Sequence, residues 1–231
     1  MCGRLNVIDS PEVKDLCESV GISFDFPPVI NAFPTAQIPF IFEQDGSRQI
    51  KSAIWWLLLK KTPQGFQPNS DWKTFNAVAK RMKTSRLYGK SFKTSRCIIP
   101  VSGYFEWMVK ESKRHPYYIR AANKALAFAG LYKTWQLEDR LIYSCTVITL
   151  EGHPKLAHIH KKSLPLMIQP DNYDAWLDPN LKDTSDFEKL FTPKLTCNFT
   201  ASPMDPRMNT AGFQGSECLN PIGDAQLIPA D

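Results

Sequence analysis

The chain has 231 residues, a formal net charge of +5, and 43% hydrophobic against 22% charged residues, the balance of a soluble globular protein with one substantial core or two small ones. Its longest apolar run, Ala53–Leu59, is far too short to span a bilayer, and no basic-then-apolar secretory segment is visible. Six widely spaced cysteines (Cys2, Cys17, Cys97, Cys145, Cys197, Cys218) without a CxxC pair argue against a disulfide framework and for reduced thiols in a cytoplasmic protein.

Met1-Cys2-Gly3-Arg4 opens the chain. If Met1 is removed, Cys2 carries an α-amine and a thiol on adjacent carbons, with amine pKa about 7.7–8.0 and thiol pKa near about 8.5. Arg4 is a cation able to lower the thiol further. Such a 1,2-aminothiol can condense with an aldehyde and close a thiazolidine, or attack an acyl carbon. Residues 5–8 read as a short strand. Ser10-Pro11-Glu12 starts a helix, with Ser10 as N-cap, Val13, Leu16, Cys17 and Val20 at helical spacing, and Gly21 as the stop. The Pro-rich 26–34 segment is expected to be a loop. Residues 37–42 and 49–58 flank Gln44–Ser47 as a hairpin. An exposed loop is expected over 60–75, carrying Phe66 and Trp72.

From Lys73 to Arg96 the chain holds Lys73, Lys80, Arg81, Lys83, Arg86, Lys90, Lys93 and Arg96 and no acid. This stretch is either a solvated basic surface or a phosphate-neutralising groove, partly helical. Strands are expected at 97–101 leading into 103–109, then at 115–120, 125–134, 141–150, 164–168 and 195–202. Short helices are expected at 171–177 and 184–191, and the chain from Pro203 on reads as an irregular tail. The pattern is α+β: a single domain over 1–231, with its core about 2–223, built on an antiparallel barrel-like β core with a few short flanking helices.

Glu106 lies within Gly103-Tyr-Phe-Glu-Trp107. Alternation puts Tyr104, Glu106 and Met108 on one face and Phe105 and Trp107 on the other. Glu106 is either a solvent-facing edge charge or a carboxylate in a partly desolvated cleft, where a raised pKa would make it a proton shuttle. His158-Ile-His160 alternates like a strand. With His153 it suggests metal binding, yet no third ligand stands at a known spacing, and one histidine acting as acid or base fits better. Asn31 and Asn76 are either loop clamps or groups that fix an amine or a sugar hydroxyl. Phe66 and Trp72 beside the basic run suit base stacking and ordinary loop packing equally.

Met-Cys-Gly-Arg, Ile30-Asn-Ala-Phe-Pro-Thr35, Phe75-Asn-Ala77, Gly103-Tyr-Phe-Glu-Trp107 and Ile159-His160 followed by Pro165 together resemble the SRAP (SOS response-associated peptidase) family along almost the whole chain. The resemblance implies a DNA-damage protein that captures abasic sites in single-stranded DNA through a thiazolidine on Cys2. Met1 would be removed by the protein's own peptidase activity, and a lyase activity is possible on the same grounds. It implies that Glu106 orients the amine and moves protons and that His160 assists sugar ring opening and cross-link reversal. Asn31 and Asn76 would shape the pocket and Arg4 would meet phosphate. Lys80, Arg81, Arg86, Trp107 and Phe66 are the further expected DNA contacts. No cofactor, metal or membrane is implied, protein partners stay open, and a monomer is expected. Departures from the family pattern are Val78 and Lys80 where the family has Arg and Glu, Trp55–Leu59 without its Gly and Pro, and a segment Lys161–Pro165 longer by one residue. Two alternatives stand beside this reading: an N-terminal-nucleophile amidohydrolase using Cys2, and a non-catalytic single-strand binder.

Overall fold

The computed structural model describes residues 2–210, 212–213 and 215–231. In chain order the first strands are β1 (Leu5–Val7), β2 (Val29–Ala32), β3 (Gln37–Gln44), β4 (Ser47–Trp55), β5 (Leu59–Thr62), β6 (Gly65–Pro68) and β7 (Asn76–Val78). Next come β8 (Arg96–Val101), β9 (Gly103–Lys110), β10 (Lys113–Ala121), β11 (Leu126–Leu137) and β12 (Arg140–Glu151). The last are β13 (Ser163–Pro165), β14 (Phe199–Pro203) and β15 (Gln226–Ile228). The α-helices are α1 (Pro11–Ser19), α2 (Gly89–Thr94) and α3 (Tyr173–Leu177).

Strands β11-β8-β3-β4-β12 form a barrel that closes where β12 returns to pair with β11. Closure removes the free sheet edges that a strand-rich chain would otherwise expose. The α+β class with a barrel-like core is thus the observed one. It is not wholly antiparallel, because β4 and β7 both run parallel to β12. A second sheet, ordered β15-β14-β10-β9-β1-β2, lies alongside. Tyr104 of β9 enters the main core, while Phe105 and Trp107 join a smaller apolar cluster with Tyr118, Met204 and Met208. The alternation expected for this strand is the one observed.

Helix α1 forms as its sequence dictates. Ser10 Oγ accepts from Val13 N–H at 3.4 Å, Pro11 stands in the first turn, and Val13, Leu16 and Cys17 are buried. Gly21, at φ +74°, takes the left-handed conformation that ends it. Asp45 and Gly46, both at positive φ, make the tight turn of the β3–β4 hairpin. All six cysteines are free. Among the described residues no helix is long and apolar enough to cross a membrane.

Several local expectations are corrected. The 26–34 segment contains β2, whose pairing with β1 overrides the prolines on either side. Residues 60–75 are not a bare loop, since β5 and β6 pair as a hairpin. Within the basic stretch, β7 is a strand on β12. Arg96 is no phosphate ligand: it is buried, and its guanidinium donates to the carbonyls of Trp176, Phe92, Lys93, Leu181 and Asp178. It thereby ties α2 and the chain around α3 to the barrel. The short helix expected at 184–191 forms as a 3-10 helix over Ser185–Phe191. The tail is not irregular throughout, because β15 at its far end pairs with β14.

Candidate active site

The site is built where the chain entering β1 meets β9. Leu5 pairs with Tyr104, and Phe105 N–H donates to the Arg4 carbonyl at 2.9 Å. Continuing that antiparallel course sets Gly3 level with Glu106, and the Glu106 carboxyl stands near enough to act on the Cys2 thiol. Cys2 is fully buried, and its carbonyl accepts from Asn76 Nδ2 at 2.7 Å. Asn76 is delivered by β7, the strand hidden in the basic stretch.

Glu106 is 3% exposed. Its Oε2 lies 3.3 Å from His160 Nδ1, and its Oε1 has no hydrogen-bond partner among the described residues. His160 is not on a strand. It ends a run of tight turns that begins with the 3-10 segment Pro154–Leu156, and its N–H donates to the Leu156 carbonyl at 2.8 Å. His160 Nε2 lies 3.3 Å from Ser163 Oγ.

Burial sets the electrostatics of this group. It pushes the Glu106 carboxyl up to about 8, against a smaller opposing pull from Arg114. It pushes His160 down to about 4, with Lys162 acting in the same direction. An ion pair at 3.3 Å would require both groups to ionise in a desolvated site, and both shifts run the other way. At neutral pH the pair is therefore an un-ionised carboxyl 3.3 Å from a neutral imidazole. The Cys2 thiol is raised as well, first by burial and then by Glu106. Arg4 does not activate it as the sequence suggested. The thiol faces the Arg4 carbonyl, Sγ to O 3.8 Å, while the guanidinium turns away to Asn31 Oδ1 at 2.9 Å.

In front of this group opens a cleft of about 820 Å³. Its wall carries Gly3, Glu106 and His160, and four cations face it: Arg4, Arg114, Lys161 and Lys162. One buried and largely protonated carboxyl against four cations makes a mouth suited to polyanions. Trp107 lies under the Arg114 guanidinium, 4.9 Å from ring centroid to Cζ, and its indole N–H donates to Asn209 Oδ1 at 2.7 Å. Asn209 Nδ2 in turn holds the Arg114 carbonyl at 3.0 Å.

The structure thus brings Cys2, Asn76, Glu106 and His160 together, with Arg4 and Trp107 on the cleft wall. Asn31 stands behind the wall. Its side chain accepts from Arg4 and donates to the Phe213 carbonyl, and its φ of 54° is one that asparagine tolerates. Lys80, Arg81, Arg86 and Phe66 do not line the cleft. Lys80 pairs with Glu151 beside a neighbouring pocket, Arg81 and Arg86 are exposed on the surface, and Phe66 packs on Trp135. His158 and His160 do not share a strand face; His158 reaches Gln226 Oε1 at 2.9 Å instead. Among the described residues no group of three or more His, Cys, Asp or Glu could hold a metal ion. Met1, whose removal the sequence reading requires, lies outside the described residues.

Sequence reasoning missed Arg114, Lys161, Lys162 and Asn209 as parts of the cleft. The two lysines follow His160 directly, a signal that was available. Arg114 falls between the expected strands 103–109 and 115–120, with no motif to mark it. Asn209 lies about a hundred residues from the indole it holds, with no local mark.

A fully buried cysteine, an asparagine on its carbonyl and a carboxyl beside an imidazole thus stand next to a cationic cleft on a closed-barrel fold. The model of the family described as SOS response associated peptidase (SRAP) matches residues 1–211, and the chain belongs to that family. It is similar to the abasic site processing protein YobE of Bacillus subtilis, with 28% identity over 201 residues, 84% of this chain and 89% of the relative. It is also similar to the abasic site processing protein HMCES of Xenopus tropicalis, with 26% identity over 231 residues, 87% of this chain and 68% of the relative. The fold matches a crystal structure of a Bacteroides thetaiotaomicron protein at a TM-score of 0.74 and 20% identity, covering 94% of this chain and 98% of that one.

Proposed function

We propose that this protein captures abasic sites in single-stranded DNA as a covalent thiazolidine on Cys2. The observation that carries the reading is the seating of Cys2: buried, gripped by Asn76 through its carbonyl, and set beside the Glu106–His160 pair. Hydrolysis of the Met1–Cys2 bond first frees the α-amine. The amine then adds to the aldehyde carbon of the ring-opened sugar to give a carbinolamine, with neutral His160 accepting the surplus amine proton. Protonated Glu106 donates to the departing hydroxyl, which leaves as water, and an imine remains. The Cys2 sulfur next bonds to the imine carbon and its proton passes to the nitrogen, which closes the five-membered ring. One water is lost overall and no electrons change hands. A general acid near pKa 8 beside a base near 4 is correctly protonated for this sequence across neutral pH.

The cationic wall supports DNA as the polyanion, and Trp107 under Arg114 offers a stacking surface for a base. The relatives' names, abasic site processing proteins, point to the same lesion. The test is incubation with single-stranded DNA holding one abasic site, followed by heating and denaturing electrophoresis. Wild type should give a heat-stable adduct and Cys2→Ala none. Absence of adduct with wild type, or equal adduct from the variant, would sink the proposal.

A further inference from the structure

His160 is presented by the turns that run from His153, and those turns are clamped from outside by the last residues of the chain. Asp231 Oδ2 lies 3.0 Å from His153 Nε2 and also accepts from Leu195 N–H at 2.8 Å, while Asp231 Oδ1 meets Lys155 Nζ at 3.0 Å. Lys155 Nζ further donates to the Pro229 and Ala230 carbonyls. Ala230 N–H is held by Asn198 Oδ1 at 2.9 Å, and β15 is paired to β14. The segment 226–231 is therefore a strap with its own anchorage. It lies beyond residues 1–211, which the family model matches.

The strap reaches the imidazole through a short mechanical chain. His153 Nδ1 accepts from Lys155 N–H at 3.2 Å, which leaves Nε2 as the protonated nitrogen that donates to Asp231. The His153 carbonyl accepts from Leu156 N–H at 3.0 Å, and the Leu156 carbonyl accepts from His160 N–H at 2.8 Å. Leu156 and Ile159 are buried in the main core, so the turns have little room to shift independently. The far end is tight too: a Cβ on Gly152 would stand 2.3 Å from the Lys161 carbonyl oxygen, so the two ends of the segment touch. Asp231 thus fixes the first residue of a closed loop whose last turn carries His160.

We propose that Asp231, acting through His153, is a positioning residue that holds His160 in register with Glu106. The inference rests on the proposed aldehyde-capture chemistry. It assigns the strap no contact with DNA, since neither Asp231 nor His153 lines the cleft. The charged and titratable groups that line the cleft with His160 are Arg4 from the chain entering β1, Glu106 from β9, Arg114 from β10, and His158, Lys161 and Lys162 from its own segment.

The test uses Asp231→Ala, His153→Asn and the double variant in the full chain, with single-turnover adduct formation on abasic single-stranded DNA. His153→Asn keeps an acceptor for Lys155 N–H and loses the reach to Asp231. It reports on the same contact if Asp231→Ala does not fold. Misplacing a catalytic group by a fraction of an ångström from a distance costs about tenfold or more. Each single variant should therefore lose about tenfold in rate, the double variant should lose no more, and non-covalent affinity for intact single-stranded DNA should be unchanged. Asp231→Asn, which keeps an acceptor for His153, should restore most of the rate. Wild-type rates in both single variants, additive losses, or a matching fall in DNA affinity would overturn the assignment. Failure of wild type to form any adduct would instead overturn the function on which it rests.

Discussion

The protonation of Glu106 can be tested through stability alone, without DNA. In the folded protein its carboxyl keeps its proton up to about pH 8, against an ordinary value of 4.5, because burial penalises the charge. Between those values the folded state binds more protons than the unfolded chain, so stability falls as pH rises through the window. At about 1.4 kcal/mol per pH unit, the whole window corresponds to about 5 kcal/mol, of which about 2 kcal/mol falls between pH 6.5 and 8. His160 has the opposite sign. Its pKa is depressed from 6.5 to about 4, so its effect makes stability rise with pH over that interval and is complete above 6.5. The range from 6.5 to 8 therefore isolates Glu106 within the pair. Glu106→Gln keeps the shape and removes the titration. Urea unfolding of both proteins at the two ends of that range should show the variant gaining about 2 kcal/mol relative to wild type as pH rises. A stability difference that stays constant across it would refute the protonated buried carboxyl, and with it the assignment of Glu106 as proton donor.

Adduct formation should follow a bell-shaped pH profile, rising as the Cys2 α-amine, the nucleophile, loses its proton toward about 7.7–8.0 and falling as Glu106, the proton donor, loses its own near 8. Rates that stay flat through both values would contradict the two roles. Asn76→Ala strips the donor from the buried Cys2 carbonyl, a loss of about 1–3 kcal/mol in stability by chemical unfolding and a slower adduct-forming step. An unchanged rate would show that the grip on Cys2 is structural only. For Arg114→Ala, Lys161→Ala and Lys162→Ala, titrations over a range of salt should lower the slope of log affinity against log salt by about 0.7 each, the value for single strands. A slope insensitive to all three would remove the phosphates from the cleft.

The parts of this molecule legible in its sequence were those fixed by local chemistry. Ser10-Pro11 and Gly21 bracket α1 because capping and a left-handed stop are decided within a few residues. The alternation of Gly103–Met108 put Tyr104 and Glu106 on one face because a strand has a period of two whatever its partners. What the sequence hid was decided by distant pairing. Val29–Ala32 is a strand only because β1 lies beside it, and Asn76–Val78 only because β12 does. The alternation of His158 and His160 mimicked a strand. Proline at 154 and the hydrogen bonds of successive turns bent it into the loop that aims His160 alone at Glu106. Arg96 looked like one more cation in a basic run, yet five carbonyls brought together by folding consume its donors. The same holds for Asp231, whose importance rests on contacts with His153 and Lys155 that no local pattern announces.

The most direct test of the central claim is the intact mass of the product formed with single-stranded DNA bearing one abasic site. The account predicts a species equal to the protein without Met1 plus the DNA strand, less one water, and its absence when Cys2 is replaced by alanine. A product that retains Met1, or a corresponding stable adduct (protein without Met1 plus strand less one water) formed by the alanine variant, would contradict it.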